Sequence, residues 1–301
     1  MRTCGFRMGR ALSGLALGSA TLALAAALTP AALTAQATAA PQAKPVPSQP
    51  APQKPATATK APVSGAKAQG TTEAPSTLPS ARAIIDRHVK AIGGREAILA
   101  HSSSHAVGTM TIPGSGITGN LDVYGAKPNK SLTKITLSGI GEMLEGFDGT
   151  VGWGINPVTG AMLAQGKELE EKKFDAAFYS DLQESSRYAS MKTVEKTTFE
   201  GRPCYKVSLI RKDGGEDFDF YDVETGLKAG AAGMREMQQM GPAAVTQIHS
   251  DYKKFGGLLV PTTMKQSAMG VQQLITITSV EFDSVPPSMF DLPAQIEALV
   301  K

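Results

Sequence analysis

The chain has 301 residues, 42% hydrophobic and 19% charged, with 30 Lys and Arg, 27 Asp and Glu, and two cysteines. Seven of the basic residues (Arg2, Arg7, Arg10, Lys44, Lys54, Lys60, Lys67) but only one acid, Glu73, precede residue 79, which leaves 23 basic against 26 acidic side chains in the remainder. A slightly acidic body without a basic helix or an aromatic-basic motif excludes a nucleic-acid binder.

The first residues place Arg2, Arg7 and Arg10 around and ahead of an uncharged Ala/Leu/Gly run from Ala11 to Leu28, followed by the small-x-small pattern Ala35-Gln36-Ala37. This predicts a Sec-type signal peptide over residues 1–37, hence export to the periplasm. There is no Arg-Arg pair, and Cys4 precedes the apolar run, which argues against lipid attachment there. An uncleaved anchor is the rival reading, but Ala, Gly, Ser and Thr drive insertion far less than Leu or Ile. No later stretch is long and apolar enough to span a bilayer, so no transmembrane span is expected after cleavage.

Residues 38–78, rich in Pro, Ala, Gln, Thr and Lys, cannot bury enough apolar surface to offset the entropy of ordering them. They read as a disordered linker. Residues 79–301 read as one domain, and with Cys204 as the sole cysteine left after cleavage it must hold together by core burial alone.

Within that domain Ser80 is placed to cap a helix whose Ala81, Ile84, Ile85, His88 and Ile92 recur at helical spacing, with Gly93-Gly94 as its stop. Strands are predicted over 107–112, 116–124, 131–138, 140–147, 151–155 and 161–165, an antiparallel meander punctuated by turn residues. Lys167–Gln183, with Phe174, Phe178 and Leu182 four apart, reads as a helix laid over the sheet or its open mouth. Strands resume at 187–199, 203–210, 216–223, 227–240, 243–255, 258–269 and 271–282. In Asp217-Phe-Asp-Phe-Tyr the phenylalanines take one face while Asp217, Asp219 and Tyr221 take the other, read as solvated. Ile275 and Ile277 are out of phase with Val280 and Phe282, which predicts a bulge near Ser279. An extended arm with Phe290 and Leu292 and a last short helix through Ile296 and Val300 close the chain. The expected fold is mainly β (α+β): a strongly curved antiparallel sheet forming an incomplete barrel with a few covering helices.

No catalytic constellation emerges. His88, His101, His105 and His249 belong to no zinc-hydrolase motif, and there is no nucleophile elbow, phosphate loop or dinucleotide fingerprint. His88 reads as a packed core histidine and His101-Ser-Ser-Ser-His105 as a polar loop. The Met234-x-x-Met-x-x-Met240 series could hold Cu(I) through thioethers, but flexible packing is the simpler account. Cys204 reads as a small half-buried side chain. The expectation is a non-enzyme without metal or cofactor.

The segments Tyr124-Gly-Ala-Lys-Pro-Asn-Lys130, Glu145-Gly-Phe-Asp-Gly149 with Trp153, Phe220-Tyr-Asp-Val-Glu-Thr-Gly-Leu227, Leu258-Leu-Val-Pro-Thr262 and Ile275–Phe282 together resemble the outer-membrane lipoprotein-sorting (LolA-like) family over most of residues 80–295. The resemblance implies a curved, unclosed barrel with helices over its opening, and a periplasmic carrier or sensor of lipid, of an acylated protein or of another hydrophobic ligand. The apolar hollow such a carrier needs would draw on Met110, Ile112, Leu121, Val123, Ile135, Leu137, Trp153, Phe218 and Phe220. The alternative is a non-catalytic envelope domain, displayed on its linker to a cell-envelope protein partner.

Overall fold

The computed structural model describes residues 78–237 and 241–301. The signal-like segment 1–37, the linker as far as residue 77 and Met240 lie outside the described residues. The Ser80 hydroxyl accepts the Ala83 amide at 3.2 Å and opens helix α1 (Ala81–Ala91), which buries Ile84, Ile85, His88 and Val89 on one stripe. Gly93 and Gly94 then take φ of 135° and 90°, a backbone that ends the helix at low steric cost. A single-turn helix, α2 (Arg95–Ile98), follows.

Thirteen strands succeed it: β1 (Ser103–Ile112), β2 (Ile117–Ala126), β3 (Lys130–Leu137), β4 (Gly141–Phe147), β5 (Gly152–Asn156), β6 (Gly160–Leu163), β7 (Tyr188–Phe199), β8 (Arg202–Arg211), β9 (Glu216–Asp222), β10 (Lys228–Met237), β11 (Gly241–Phe255), β12 (Leu258–Ala268) and β13 (Val271–Phe282). Each strand the sequence predicts is present, displaced by a few residues at its ends. All belong to one antiparallel sheet in the order β6-β5-β4-β3-β2-β1-β13-β12-β11-β10-β9-β8-β7. Strands adjacent in sequence pair with each other except β6 and β7, and β1 pairs with β13, so the ribbon is a ring of strands cut at one place, between β6 and β7.

That cut is spanned by the chain between β6 and β7. The sequence predicts one helix over Lys167–Gln183. Instead α3 (Gly166–Asp175) stops early and gives way to 3-10 turns at Ser180–Leu182 and Ser185–Arg187. The backbone leaves the helical ladder because it finds partners outside it. The Phe178 amide donates to the Pro128 carbonyl at 3.1 Å, and the Arg187 guanidinium takes the Phe174 carbonyl at 2.7 Å. The last helix, α4 (Ala294–Val300), packs beside β6 with Ile296 fully buried. Among the described residues no helix is long and apolar enough to cross a membrane.

The bulge lies where the phase change in the sequence puts it. Val107 faces Ser279 but Gly108 faces Ile277, leaving Thr278 as the extra residue, its hydroxyl bonded to the Val107 carbonyl at 3.0 Å. A Cβ on Gly108 would press into the carbonyl oxygen of Thr276, a backbone atom that cannot swing aside. Gly108→Ala is therefore expected to cost about 1–3 kcal/mol, as overpacking does. Urea unfolding of the variant beside wild type reads this directly, and an unchanged midpoint would refute it.

The apolar stripe of α1 and the side chains of Phe178 and Leu182 fill much of the helix-covered face, meeting residues of β1–β4, β8, β12 and β13 in one continuous core.

Candidate functional site

The nine residues expected to line a hollow sort into two groups. Met110, Ile112, Leu121, Ile135 and Leu137 are buried together in the main core, with Val123 half-buried against it. Trp153 is buried with its ring against Gly146. Phe218 and Phe220 belong to a second, smaller cluster with Cys204, Ala229, Ala232 and Phe199, in which the Phe199 and Phe220 rings stack at 4.0 Å. None of the nine borders the solvent-open cavity of about 140 Å³ beside the main core.

That cavity is walled by α1, the spanning segment Phe174–Tyr188, and β8 to β12. Its floor includes β9, where the alternation of Asp217-Phe-Asp-Phe-Tyr221 holds but its sense is the reverse of the expected one. Asp217, Asp219 and Tyr221 point inward and are buried, so they are not a solvated face. The reversal has a local cause. The covered side offers Arg211, Arg235, Lys228 and Gln183 to pair the carboxylates, and the other side offers the Phe199 ring and the Lys206 ammonium, 4.5 Å above Phe218.

The buried acids are nearly all committed. Asp219 accepts from Lys228 Nζ at 2.7 Å, Tyr221 OH at 2.9 Å and Gln183 Nε2 at 3.1 Å, while Tyr188 OH in turn donates to Gln183 Oε1. Asp217 accepts from Arg235 at 2.5 Å and Arg211 at 3.2 Å, and Arg235 also pairs with Asp175 at 3.7 Å. Glu171 of α3 accepts from Arg211 at 3.3 Å and from the Glu236 amide at 2.7 Å. This network ties the spanning segment to β8–β10.

Four groups facing or edging the cavity stand outside that network. His88 is 3% exposed and His249 9% exposed; the first has an unpartnered Nδ1 and the second an unpartnered Nε2. Burial first, and then the positive Lys228 nearby, push both imidazoles down to about 3, so each is neutral at ordinary pH. Arg187 stacks its guanidinium 4.1 Å over the Phe174 ring and leaves Nη1 without a partner. Asp181 is raised to about 6, chiefly by desolvation, with Lys228 opposing. Burial also keeps Asp175 above the usual carboxylate range, against the pull of Arg235.

The other sequence candidates have local explanations. His101 Nδ1 and His105 Nε2 go to different acids, Asp283 at 2.8 Å and Asp122 at 2.7 Å, so the two imidazoles share no ion. Each also stacks on a ring, Phe282 and Tyr124 respectively. Met234 is exposed, and its partners in the methionine series fall on side chains outside the described ones. Cys204 is fully buried and its thiol is pushed up by desolvation and by Asp222, the opposite of an activated nucleophile. Among the described residues no group of three or more His, Cys, Asp or Glu side chains is placed to hold a metal ion.

His88 and His249 are 161 positions apart in the chain and Asp181 comes from a third element, so no spacing rule could unite them. The one available signal was the phase of β9, which puts two acids in register with a tyrosine.

No family model and no curated protein matches this chain. Among solved structures it is similar to a DUF1329 family protein from Desulfovibrio piger, at 14% identity, over 70% of this chain and 97% of that one, with a TM-score of 0.49. It is also similar to a LolA superfamily protein from Nitrosomonas europaea, at 12% identity, over 71% of this chain and 99% of that one, with a TM-score of 0.49.

Proposed function

We propose that the chain is an exported, non-catalytic binding protein for an amphiphilic, lipid-like ligand, acting in the periplasm. The observation that carries this reading is the two-sided cavity: Ile92, Phe174, Val245, Leu259 and Val260 on one hand, and His88, Asp181, Arg187, Lys228 and His249 on the other. A pocket with apolar walls and a few convergent polar groups suits a ligand that is itself divided in the same way. The signal-like N-terminus supports export.

The state of the two buried imidazoles supports the reading of binding without chemistry. Imidazoles held near 3 are too weakly basic to remove a proton efficiently at neutral pH. The size also limits the guest. About 140 Å³ is close to the volume of an engineered cavity that holds one benzene. The site therefore takes a polar head and the first few carbons, and the rest of an acyl chain leaves through the open side, where each sheltered methylene contributes about 0.8 kcal/mol.

The full chain, purified from an envelope fraction without detergent and extracted with organic solvent, is expected to yield an amphiphile in roughly stoichiometric amount by mass spectrometry, and to bind a fluorescent monoacyl probe saturably. Ligand-free preparations that also fail to saturate with the probe would end the proposal.

A further inference from the structure

The hairpin turns of an antiparallel ring fall alternately at its two ends, and the two ends here differ in chemistry. Four consecutive turns along one rim join β12 to β13, β1 to β2, β3 to β4 and β5 to β6. These turns and the residues flanking them, 268–271, 112–117, 137–141 and 156–160, contain no Asp, Glu, Lys or Arg in a chain that is 19% charged. The uncharged stretch is bounded, since the β8–β9 turn at the same end carries Lys212 and Asp213. Turns at the opposite end carry Lys127, Asp148, Glu200 and Glu224.

The described residues leave seven large apolar side chains exposed, and three of them stand on these tips: Ile140 at 44%, Val158 at 69% and Met269 at 51%. A Cβ on Gly141 would lie 3.4 Å from the Pro157 ring, so the turns carrying Ile140 and Val158 are side by side. Met269 holds a position that suits another residue. With Gly270 it forms a two-residue turn between the paired Ala268 and Val271, at φ of 51° and 79°. Asn or Asp is the usual first residue of such a turn, because a short polar side chain tolerates positive φ better than a long apolar one. The chain keeps a thioether facing solvent here at a conformational cost.

Neighbouring strands lie about 4.8 Å apart, so successive tips stand about 10 Å from one another. Single apolar side chains at that spacing, with glycines and the hydroxyls of Ser115, Ser138 and Thr159 between them, do not form the continuous patch that a rigid protein partner covers. A lipid surface takes them one by one, apolar tips among the first acyl carbons and hydroxyls among the head groups. Charge is what the acyl boundary rejects, and these tips have none. Glu142, the acid nearest Ile140 in the chain, is paired with Lys134 at 2.6 Å.

We infer that this rim is a membrane-contacting surface that seats Ile140, Val158 and Met269 in the interface of a lipid bilayer. With no basic side chain on the tips, the contact is made to neutral as well as to anionic lipid. The inference goes beyond the ligand-binding reading and does not depend on it, because none of the three tips lines the cavity.

The experiment reads the depth of each end of the sheet separately. The full chain with Cys4→Ser, its remaining Cys204 being fully buried, receives either Val158→Cys or, at the opposite end, Thr150→Cys, and an environment-sensitive fluorophore is attached there. On mixing with phosphatidylcholine vesicles, the fluorophore at 158 is expected to shift to the blue and to be quenched by doxyl groups on the acyl chains, while the one at 150 stays as in water. Replacing part of the phosphatidylcholine with phosphatidylglycerol should leave the response at 158 unchanged. Ile140→Asp with Met269→Asn should abolish that response while the melting temperature stays near that of the parent, since both side chains are exposed and Asn suits the turn. Saturable binding of the monoacyl probe by this double variant, as by wild type, keeps the test separate from the ligand-binding reading. A fluorophore at 158 that stays in water, equal responses at 158 and 150, a response that needs phosphatidylglycerol, or one that survives the double change would overturn the inference.

Discussion

Arg211→Met is expected to destabilise the protein by about 3–5 kcal/mol, the cost of removing one partner from a buried ion pair. Arg211 is 2% exposed and reaches three carboxylates, Asp213 at 3.1 Å, Asp217 at 3.2 Å and Glu171 at 3.3 Å. Glu171 and Asp217 are themselves buried, and Asp175 beside them is already held above its usual range by desolvation. Methionine fills the volume but returns no charge, so those acids would have to take up protons or draw in water. The network also ties α3 to β8 and β10, and its loss should loosen the spanning segment before the rest of the sheet. Urea unfolding at neutral pH measures the effect. Because the groups share partners, Arg211→Met with Glu171→Gln should cost less than the two single changes together, by about 0.5–3 kcal/mol. The exposed pair Arg95–Glu184 is the contrast, since Arg95→Met should stay within about 1 kcal/mol of wild type. A loss at Arg211 no greater than at Arg95 would show that the buried network does not hold the segment in place.

The second large effect is with pH. His88 and His249 sit near 3 in the folded protein and near 6.5 when unfolded, so the unfolded state takes up two protons that the folded state refuses. Their contribution is fully present above pH 6.5 and is lost as pH falls toward 3. Asp181, raised from 3.8 to about 6, acts with the opposite sign, because the folded state takes its proton first. Asp175 and Glu168, also raised, share that sign. Asp213, Asp222 and Asp283 are lowered, and their contributions are lost only below the ordinary carboxylate range. One proton corresponds to about 1.4 kcal/mol per pH unit. Stability should thus fall by roughly 3 kcal/mol between pH 6.5 and 4.5, at somewhat less than one proton's slope at first and at about one proton's slope once the unfolded histidines and Asp181 are protonated. His249→Gln should flatten the curve by about one proton. Urea midpoints at half-unit steps test this, and a curve level from pH 7 to 5 would refute buried neutral histidines.

The ease with which the strands were legible has a local cause. Turn chemistry at Lys127-Pro-Asn-Lys130 and Asp148-Gly149, the phase slip before Val280 and the Ser80 cap each act over a few residues, and each has its counterpart in the structure. The spanning segment failed for the complementary reason. Phe174, Phe178 and Leu182 are spaced for one helix, yet the Pro128 carbonyl and the Arg187 guanidinium, both distant or non-periodic, draw the backbone out of it.

The candidate site was the least legible part. An apolar guest was sought among apolar side chains, and Met110, Leu121, Ile135 and Leu137 instead pack against one another and against α1. The unsatisfied groups around the cavity come from α1, the spanning segment and β11, brought together only by folding.

By itself the sequence determined where the strands lie, which residues share a face and where the ribbon bulges, because periodicity, caps and turns are short-range properties. Tertiary structure alone decided that β1 meets β13, that the ring opens between β6 and β7, and that Asp217 and Asp219 turn inward. A period of two is the same whichever face is covered, so the sense of burial is set by the partners waiting on each side, here Arg211, Arg235 and Lys228 against Phe199 and Lys206.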